Sequence, residues 1–262
     1  MPPEIAAKLR NSMSAGVNSI DFERRKADAL NKEPGTLTGY DCPLCLNRGF
    51  MWRVRDSGER YTEECTCMPT RRNIRYLRES GLESLIKRYT FDAWQSRETW
   101  QARLLRMARE YAENPTGWFY LAGRPGTGKT HLCTAICGEL MNRGFQARYL
   151  LWRDFSVKAK SLVNDEEQYQ ALMKPLKSVR VLYVDDLFKT GKGQEPTAGD
   201  VNLAFELLNA RYNDERKLTL ISSELNANRL LEIDEGIGSR IVQRAGENYA
   251  DLSGRQNFRL TG

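Results

Sequence analysis

The residues best suited to chemistry lie in one short stretch near the middle of the chain. It runs from Gly123 to Thr130 with the spacing G-x-x-x-x-G-K-T, which is the pattern of a phosphate-binding loop. Glycines in such a loop let backbone N–H groups approach phosphate oxygens, because no side chain stands in the way. Lys129 can then reach the β and γ phosphates of ATP, and the Thr130 hydroxyl can ligate Mg²⁺. The candidate ATP-binding residues of this stretch are Gly123, Arg124, Pro125, Gly126, Thr127, Gly128, Lys129, Thr130 and His131.

The sequence on either side of the loop predicts the strand and the helix that must position it. Residues 118–122 are apolar and partly aromatic, as in a buried strand, and residues 131–140 carry apolar side chains at helical spacing. The alternative is a glycine-rich turn that carries a lysine and a threonine by chance, and the two flanking elements argue against it.

A pair of carboxylates follows a second apolar run further along the chain. Residues 179–184 predict a buried strand that ends in Asp185-Asp186. Downstream of a phosphate-binding loop, Asp185 is placed to hold Mg²⁺ and Asp186 to polarise the water that attacks the terminal phosphate. A simple acidic turn at the end of a strand is the alternative, and the loop upstream disfavours it.

Four cysteines in the first third of the chain have the spacing of metal ligands. Cys42 and Cys45 form a C-x₂-C pair, and Cys65 and Cys67 form a C-x-C pair. Residues 50–64 between them predict a hairpin, which would bring both pairs to one end. Four thiolates suit tetrahedral Zn²⁺, and the zinc would be structural because four protein ligands leave no open position. Cysteines without a metal are the alternative that the spacing leaves open.

Composition bounds the class of protein and its partners. The chain has 262 residues, of which 40% are hydrophobic and 28% charged, which is typical of a globular protein with a sizeable core. A formal net charge of +6 permits contact with nucleic acid without establishing it. No apolar run has the length of a membrane span and the first residues lack a signal-peptide pattern, so we expect a cytoplasmic protein with no membrane partner. Cysteines in that reducing compartment favour metal ligation over disulfides.

Beyond residue 88 the predicted elements alternate between strand and helix, which is typical of an α/β fold with a mostly parallel sheet covered on both faces. We therefore divide the chain into a helical and zinc-binding domain over 1–88 and a nucleotide-binding domain over 89–262. The predicted helices cover 4–31 with a break near Gly16, 71–90 with a basic face and an interruption at Gly81, 99–113, 131–140, 153–174 and 201–212. The predicted strands cover 50–55, 59–64, 118–122, 146–152, 179–184, 217–223 and 257–260.

The order of these motifs resembles the AAA+ helicase loaders of the DnaC/DnaI type, including phage and prophage versions. The transposition helper ATPase IstB is a near relative of that family. The resemblance covers most of the chain, and it is specific because several motifs occur in one order. They are the cysteine module, the linker ending Tyr89-Thr90-Phe91-Asp92, the stretch Gly123 to His131, Val184-Asp185-Asp186-Leu187-Phe188, Ile221-Ser222-Ser223 and Ile237-Gly238-Ser239-Arg240-Ile241.

The resemblance implies a fold and further site residues. The fold is an AAA+ P-loop NTPase sheet flanked by helices, preceded by a small helical and zinc-ribbon-like domain. Arg240 matches the arginine finger that enters a neighbouring subunit's ATP site, and Arg259 matches a C-terminal arginine near the nucleotide. A surface salt bridge is the alternative for each arginine. The sensor position holds Glu224, which a triphosphate would repel unless its side chain points away, so the role falls either to Glu224 or, as that repulsion favours, to Ser223.

The resemblance also implies an ATPase that loads a helicase. On this hypothesis residues 1–88 bind a replicative hexameric helicase of the DnaB type, and copies of the chain associate on the helicase ring. ATP then switches the grip on helicase and single-stranded DNA, with DNA on the basic segment 71–90 or on the loop 189–199. One alternative is an IstB-like helper that binds duplex DNA and a transposase. Another is a regulatory zinc module in which ATP is only structural.

Overall fold

The structure, a computed structural model, describes residues 19–80, 82–191 and 194–258. The chain forms two compact units, which divide between Arg71 and Arg72. The smaller unit carries the cysteine pairs, and the larger unit carries the phosphate-binding loop. Within the described ranges, no helix combines the length and the apolar character that a membrane crossing requires.

A helix and a β-hairpin build the smaller unit. These elements are α1 (19–31), β1 (Phe50–Val54) and β2 (Arg60–Glu64), and the two strands are antiparallel. Gly58, with a φ of +86°, lies in the turn between the strands. The Asn31 side chain joins the helix to the hairpin, since it donates to the Trp52 carbonyl at 3.0 Å and accepts from the Trp52 N–H at 2.9 Å. The predicted hairpin is confirmed, whereas residues 4–18 of the predicted first helix, with the break near Gly16, lie outside the described residues.

Two helices, α2 (Met68–Ser80) and α3 (Glu83–Arg88), follow the hairpin. They agree with the helical segment predicted over 71–90, and Gly81, the predicted interruption, lies outside the described residues. The basic character of the segment is partly offset within it, because Glu83 accepts a 3.0 Å bond from Lys87 of the same helix.

The division between the units falls within α2, earlier than the sequence-based boundary at residue 88. Residues 72–88 fold with the larger unit because they share its interior. The Asn73 amide donates to the Phe145 carbonyl at 2.6 Å and accepts from the Ala147 N–H at 3.2 Å. Leu82 is buried in one of the two cores of that unit.

A five-stranded parallel sheet organises the larger unit. Its strands are β3 (Trp118–Ala122), β4 (Ala147–Leu151), β5 (Val181–Leu187), β6 (Leu218–Ser223) and β7 (Tyr249–Asp251), in the spatial order β4-β5-β6-β3-β7. The strand that leads into the phosphate-binding loop, β3, lies between β6 and β7. Because all strands are parallel, the carboxyl ends of β3, β5 and β6 lie at one edge of the sheet, and predicted site residues lie at or directly after each of these ends.

Helices cover both faces of this sheet. They are α4 (Thr99–Glu113), α5 (Lys129–Asn142), α6 (Trp152–Ser161), α7 (Glu166–Ser178), α8 (Ala198–Tyr212), α9 (Ala227–Ile233) and α10 (Glu235–Ala245). Alternate residues of β3 enter different cores: Trp118 and Tyr120 pack in one, and Phe119 and Leu121 pack in the other. A strand that is buried on both faces has a continuous run of apolar residues, as residues 118–122 do. The predicted α/β fold is therefore confirmed.

The single helix predicted over 153–174 is two helices, α6 and α7. The chain turns at residues 162–165, and the Asp165 carboxylate accepts the Gln168 N–H at 3.0 Å as the N-cap of α7. The prediction missed the break because helix-forming residues continue on both sides of it, and only the capping aspartate marks the new start.

The strand predicted over 257–260 is also wrong in its described part. The last strand of the sheet is β7, and Asn257 and Phe258 belong to no strand. The Phe258 N–H instead donates to the Gly126 carbonyl at 3.1 Å, so its backbone is bound to the phosphate-binding loop rather than to a neighbouring strand. Residues 259 and 260 lie outside the described residues.

A buried arginine joins two helices to the sheet. Arg211 of α8 has no exposed surface. Its guanidinium donates to the carbonyls of Leu176 and Val179 at 2.9 Å, to the Leu218 carbonyl at 2.8 Å and to the Thr219 hydroxyl at 3.0 Å. Burial lowers the pKa of Arg211 to about 9, which leaves the group charged at neutral pH. Charge-assisted bonds of this kind are the stronger hydrogen bonds of a protein interior.

We expect Arg211→Met to destabilise the larger unit, because methionine fills similar space but leaves several buried oxygens without a donor. A loss of about 3 kcal/mol or more in the free energy of unfolding follows from the cost of unsatisfied buried polar groups. Denaturant unfolding followed by circular dichroism measures it. Arg216→Met, at an arginine whose side chain is 82% exposed, is the matched control. Equal stability of Arg211→Met and the wild-type protein would contradict this role.

Candidate nucleotide-binding site and four-cysteine cluster

The phosphate-binding loop has the left-handed backbone that glycine adopts without strain. Gly126 and Gly128 have φ values of +81° and +91°. A Cβ on Gly126 would lie 1.7 Å from Oδ1 of Asn257, and a Cβ on Gly128 would lie 2.5 Å from the ring of Trp94. Helix α5 begins directly after Gly128, so its unpaired N–H groups and its positive end lie at the loop. The loop is therefore built to receive an anion.

The amino group of Lys129 lies inside the loop. It donates to the Gly123 carbonyl at 2.6 Å and to the Arg124 carbonyl at 2.9 Å. Burial lowers the pKa of Lys129, while the nearby carboxylates of Asp186 and Glu224 act in the opposite direction. A phosphate group in the loop would favour the charged form further, because it adds negative charge next to the amino group.

Four hydroxyl groups converge on the buried carboxylate of Asp185, which lies at the end of β5. The Thr130 and Tyr183 hydroxyls donate to Oδ1 at 3.2 Å and 2.7 Å, and the Tyr149 hydroxyl donates to Oδ2 at 3.2 Å. The Ser222 hydroxyl also donates to Oδ1. A hydroxyl and a carboxylate in contact, at the base of a phosphate-binding loop, are oxygen ligands of the kind that Mg²⁺ prefers. The pair Thr130 and Asp185 therefore fits the predicted magnesium site.

The neighbouring Asp186 has a different environment, because its carboxylate is paired with a cation. Its backbone has a φ of +54°, and its N–H donates to the Ser222 hydroxyl at 3.0 Å. The Lys189 amino group lies 3.1 Å from Oδ2 of Asp186 and 2.7 Å from Oε1 of Glu224. One lysine thus bridges the carboxylate predicted to polarise water and the glutamate at the sensor position.

Ser223, the predicted sensor, has its hydroxyl directed to the backbone. The hydroxyl donates to the Leu187 carbonyl at 2.7 Å and accepts from the Leu225 N–H at 3.1 Å. The side chain is fully buried, and Ser223 does not line the cavity described next, whereas Glu224 does. Ser223 therefore fixes the strand end that carries Glu224.

A cavity of about 260 Å³ lies against the loop. Its walls combine the loop, the acidic strand ends and two aromatic side chains. The lining residues are Tyr89, Pro125, Gly126, Gly128, Lys129, Thr130, His131, Asp186, Lys189, Glu224 and Phe258. The structure thus brings most of the predicted loop residues and Asp186 to one cavity, with Asp185 behind Thr130.

A second cavity of about 410 Å³ adjoins the first, since Gly126, Gly128, His131 and Phe258 line both. The ring of Trp94 also lines it, together with polar side chains such as Gln95 and Gln101. An aromatic wall with amide groups beside a phosphate-binding loop suits a purine base. Trp94 and Phe258 could not be assigned to the site from the sequence, because neither belongs to a motif and their positions depend on the fold.

His131 occupies the wall between the two cavities. Its Nε2 lies 2.8 Å from the Thr90 carbonyl, and its ring contacts those of Tyr89 and Trp94. Burial lowers the pKa of His131, so the ring is neutral at pH 7. The Tyr89-Thr90 linker therefore packs against the start of α5, which explains why it lines the site.

The two arginines predicted by resemblance have different outcomes. Arg240 lies on α10, where its guanidinium packs against the rings of Phe205 and Tyr212 and donates to the Gly236 carbonyl at 2.7 Å. It lines neither of the two cavities beside the loop. Arg259 lies outside the described residues.

The four predicted zinc ligands form one buried cluster in the smaller unit. Their sulfur atoms all lie within 4.8 Å of one another, with 3.8 Å between Cys42 and Cys65 and 3.6 Å between Cys45 and Cys67. In a tetrahedral site with Zn–S bonds of about 2.3 Å, the sulfurs lie about 3.8 Å apart. None of these thiols forms a disulfide. The donor set therefore fits a structural zinc ion.

The backbone around the first cysteine pair supports this arrangement. Leu46 and Asn47 have φ values of +47° and +66°, which curl the chain so that the Gly49 N–H donates to Sγ of Cys45 at 3.3 Å. The Asn47 side chain accepts the Cys42 N–H at 2.9 Å. Burial raises the pKa of the Cys45 thiol, but the Gly49 N–H and the neighbouring thiols bring it down to about 6. A thiolate is the form that a metal binds.

We expect Cys45→Ser to abolish zinc binding and to unfold the smaller unit, because metal binding and folding are coupled in such clusters. Zinc content after gel filtration and the melting temperature measure the two effects. Cys137→Ala, at a buried cysteine of α5 in the larger unit, is the matched control and should retain the metal. Wild-type protein that carries no zinc, or a Cys45→Ser variant that keeps it, would contradict the assignment.

Comparison with known proteins gives a match to a family model described as the bacterial DnaA ATPase domain, over residues 85–245. This range contains the loop, Asp185, Asp186 and Arg240. The chain is also 30% identical to the phage-like element PBSX protein XkdC of Bacillus subtilis (strain 168), over 85% of this chain and 87% of that protein.

Two further comparisons concern proteins named as helicase loaders. The replicative helicase loader DnaC of Escherichia coli (strain K12) is 27% identical over 65% of this chain and 68% of its own length. A solved structure of the DnaC helicase loader covers 64% of this chain and 97% of that one, with 21% identity and a TM-score of 0.53. At this identity the structural likeness is one of fold. Together with the family match, these likenesses show that the chain belongs to the bacterial DnaA ATPase domain family and is a DnaC-like AAA+ protein.

Proposed function

We propose that this protein is an ATP-dependent helicase loader, which binds a replicative hexameric helicase of the DnaB type and delivers it to single-stranded DNA. The observation that carries the proposal is the similarity to the DnaC loader over 65% of this chain. The cavity beside the phosphate-binding loop supports the ATP-dependent part. The cysteine cluster supports a loader over an IstB-like helper, because we do not expect a zinc region in the latter.

ATP binding rests on the loop and on the buried lysine. The N–H groups of the loop at the start of α5 would bind the phosphates, and the Lys129 amino group would exchange its two loop carbonyls for phosphate oxygens. Thr130 and Asp185 would hold Mg²⁺, which would supply positive charge to offset that of the phosphates. The ring of Trp94 in the adjoining cavity would contact the base, and Arg259 keeps the nucleotide-binding role that the resemblance implies.

Hydrolysis requires a second copy of the chain. Asp186 polarises the attacking water, and Arg240 of a neighbouring copy offsets the charge that develops on the terminal phosphate. The placement of Arg240 on α10, outside both cavities of its own chain, supports a role in a neighbouring site. Self-association on the helicase ring would bring the two together.

The remaining contacts are assigned by the properties of each segment. Residues 1–88 contact the helicase, with the zinc cluster holding the hairpin in shape. DNA contacts either the basic segment 71–90 or the loop 189–199, since a lysine of each is paired with a carboxylate, Lys87 with Glu83 and Lys189 with Asp186 and Glu224. Lys192 of that loop lies outside the described residues.

Size-exclusion chromatography with the cognate hexameric helicase tests the proposal. The wild-type protein with Mg-ATP should co-elute with the helicase and transfer it to single-stranded DNA. Lys129→Ala should weaken ATP binding by roughly tenfold to a hundredfold, because a hydrogen bond to a charged group is worth ~1.5–3 kcal/mol. Its ATP-dependent loading should fall accordingly.

The matched control is Lys174→Ala, at an exposed lysine of α7, which should behave as the wild-type protein. Failure of the wild-type protein to co-elute with metal and ATP present would overturn the loader proposal. Loading by Lys129→Ala at the wild-type level would contradict the ATP switch and favour a zinc module with structural ATP. Preferential binding of duplex DNA and a transposase would favour the IstB-like alternative.

A further inference from the structure

Glu224, at the expected sensor position, has a negative charge beside the proposed phosphate site, and Lys189 neutralises it. Glu224 lines the cavity beside the loop, where a triphosphate would repel its carboxylate. Its Oε1 lies 2.7 Å from the Lys189 amino group, which also lies 3.1 Å from the Asp186 carboxylate. Partial burial lowers the pKa of Lys189, but the hydrogen bonds and charges of Glu224 and Asp186 together raise it above its usual value, so the group remains a cation.

The backbone is shaped to bring Lys189 back over the end of β5. Asp186 and Phe188 have φ values of +54° and +60°, which residues other than glycine rarely adopt. The Lys189 N–H donates to the Asp186 carbonyl at 2.9 Å and closes the turn. The buried ring of Phe188 anchors the turn, since it packs edge-on against Trp152. These contacts stabilise a turn whose backbone is strained. Strain that is stabilised in this way indicates that the placement of the Lys189 side chain has a function.

The partner of Lys189 is fixed by the adjacent strand. Leu187 of β5 pairs with Ser223 of β6, and the Ser223 hydroxyl donates to the Leu187 carbonyl at 2.7 Å. Glu224 follows directly, so its carboxylate is held beside the turn that carries Lys189. The ends of the neighbouring strands β5 and β6 therefore place the Lys189 ammonium and the Glu224 carboxylate on the same wall of the cavity.

The charges of the cavity show what this pair can do. Among the described lining residues the cations are Lys129 and Lys189, because His131 is neutral. Lys129 lies within the loop, whereas Lys189 is the cation on the wall formed by the strand ends. An ammonium has three N–H donors, so it can keep Glu224 while it exchanges Asp186 for a phosphate oxygen.

We infer that Lys189 and Glu224 together detect the terminal phosphate of ATP. Lys189 is the specificity-determining residue, which contacts the γ-phosphate and thereby distinguishes ATP from ADP. Glu224 is a positioning residue, which holds the ammonium in place. When Lys189 turns to the phosphate it releases the Asp186 carboxylate, so that the group which polarises water becomes available only with ATP bound. This inference rests on the proposed nucleotide site.

Equilibrium displacement of a fluorescent ADP by unlabelled ATP and ADP, without helicase or DNA, tests the inference. Lys189→Met keeps the length of the side chain and removes its charge. It should weaken ATP binding by roughly tenfold or more and leave ADP binding within about twofold, because only ATP carries the phosphate that Lys189 contacts. Retained ADP binding also reports that the variant is folded.

Three further variants make the test specific. Lys189→Arg keeps a cation and should keep most of the preference for ATP. Glu224→Gln should reduce the preference less than Lys189→Met does, and adding it to Lys189→Met should cause no further loss. Lys174→Met, at the exposed lysine of α7, is the matched control and should bind both nucleotides as the wild-type protein does.

The outcomes separate this inference from the loader proposal. Equal weakening of ATP and ADP binding by Lys189→Met, or no weakening of either, would overturn the sensor role while the loader proposal stands. A wild-type protein that binds ATP selectively but does not co-elute with helicase would overturn the loader proposal alone. A wild-type protein that binds neither nucleotide would overturn both.

Discussion

The larger unit depends on one buried carboxylate and on the hydroxyl groups that surround it. Asp185 receives hydrogen bonds from Thr130 of α5, Tyr149 of β4, Tyr183 of β5 and Ser222 of β6. A carboxylate that is buried without such partners is costly, so each donor must arrive at the correct distance. Because the donors come from three adjacent strands and one helix, this single group fixes the strand ends and the start of α5 in register. The edge of the sheet that carries the phosphate-binding loop is organised around it.

Much of the fold and part of the site could be predicted from the sequence, because those features depend on local patterns. The strand, loop and helix around Gly126 were predicted, since glycine spacing and apolar periodicity act over a few residues. The cluster of Cys42, Cys45, Cys65 and Cys67 was predicted for a similar reason: the hairpin between the pairs is marked by its own turn residues, and its geometry then brings the thiols together.

The features that could not be predicted depend on contacts between distant segments or on unusual backbone geometry. The sensor role was expected of Ser223 because Glu224 would repel phosphate, and nothing in the sequence indicated that Lys189 is its partner. That pairing needs the positive φ values at Asp186 and Phe188, which are rare for these residue types and carry no sequence signal. The break before α7 was missed because a capping aspartate is a weak signal within a helix-forming stretch.

The hydrogen bond from the Phe258 N–H to the Gly126 carbonyl has a consequence for how the unit is made. The loop lies early in the α/β unit, and the segment that covers it is translated after every strand of the sheet. Contacts of such large sequence separation form late, because the entropy of closing the intervening chain must first be offset. Until Phe258 has emerged from the ribosome, a nascent chain therefore lacks one of the residues that line the nucleotide site.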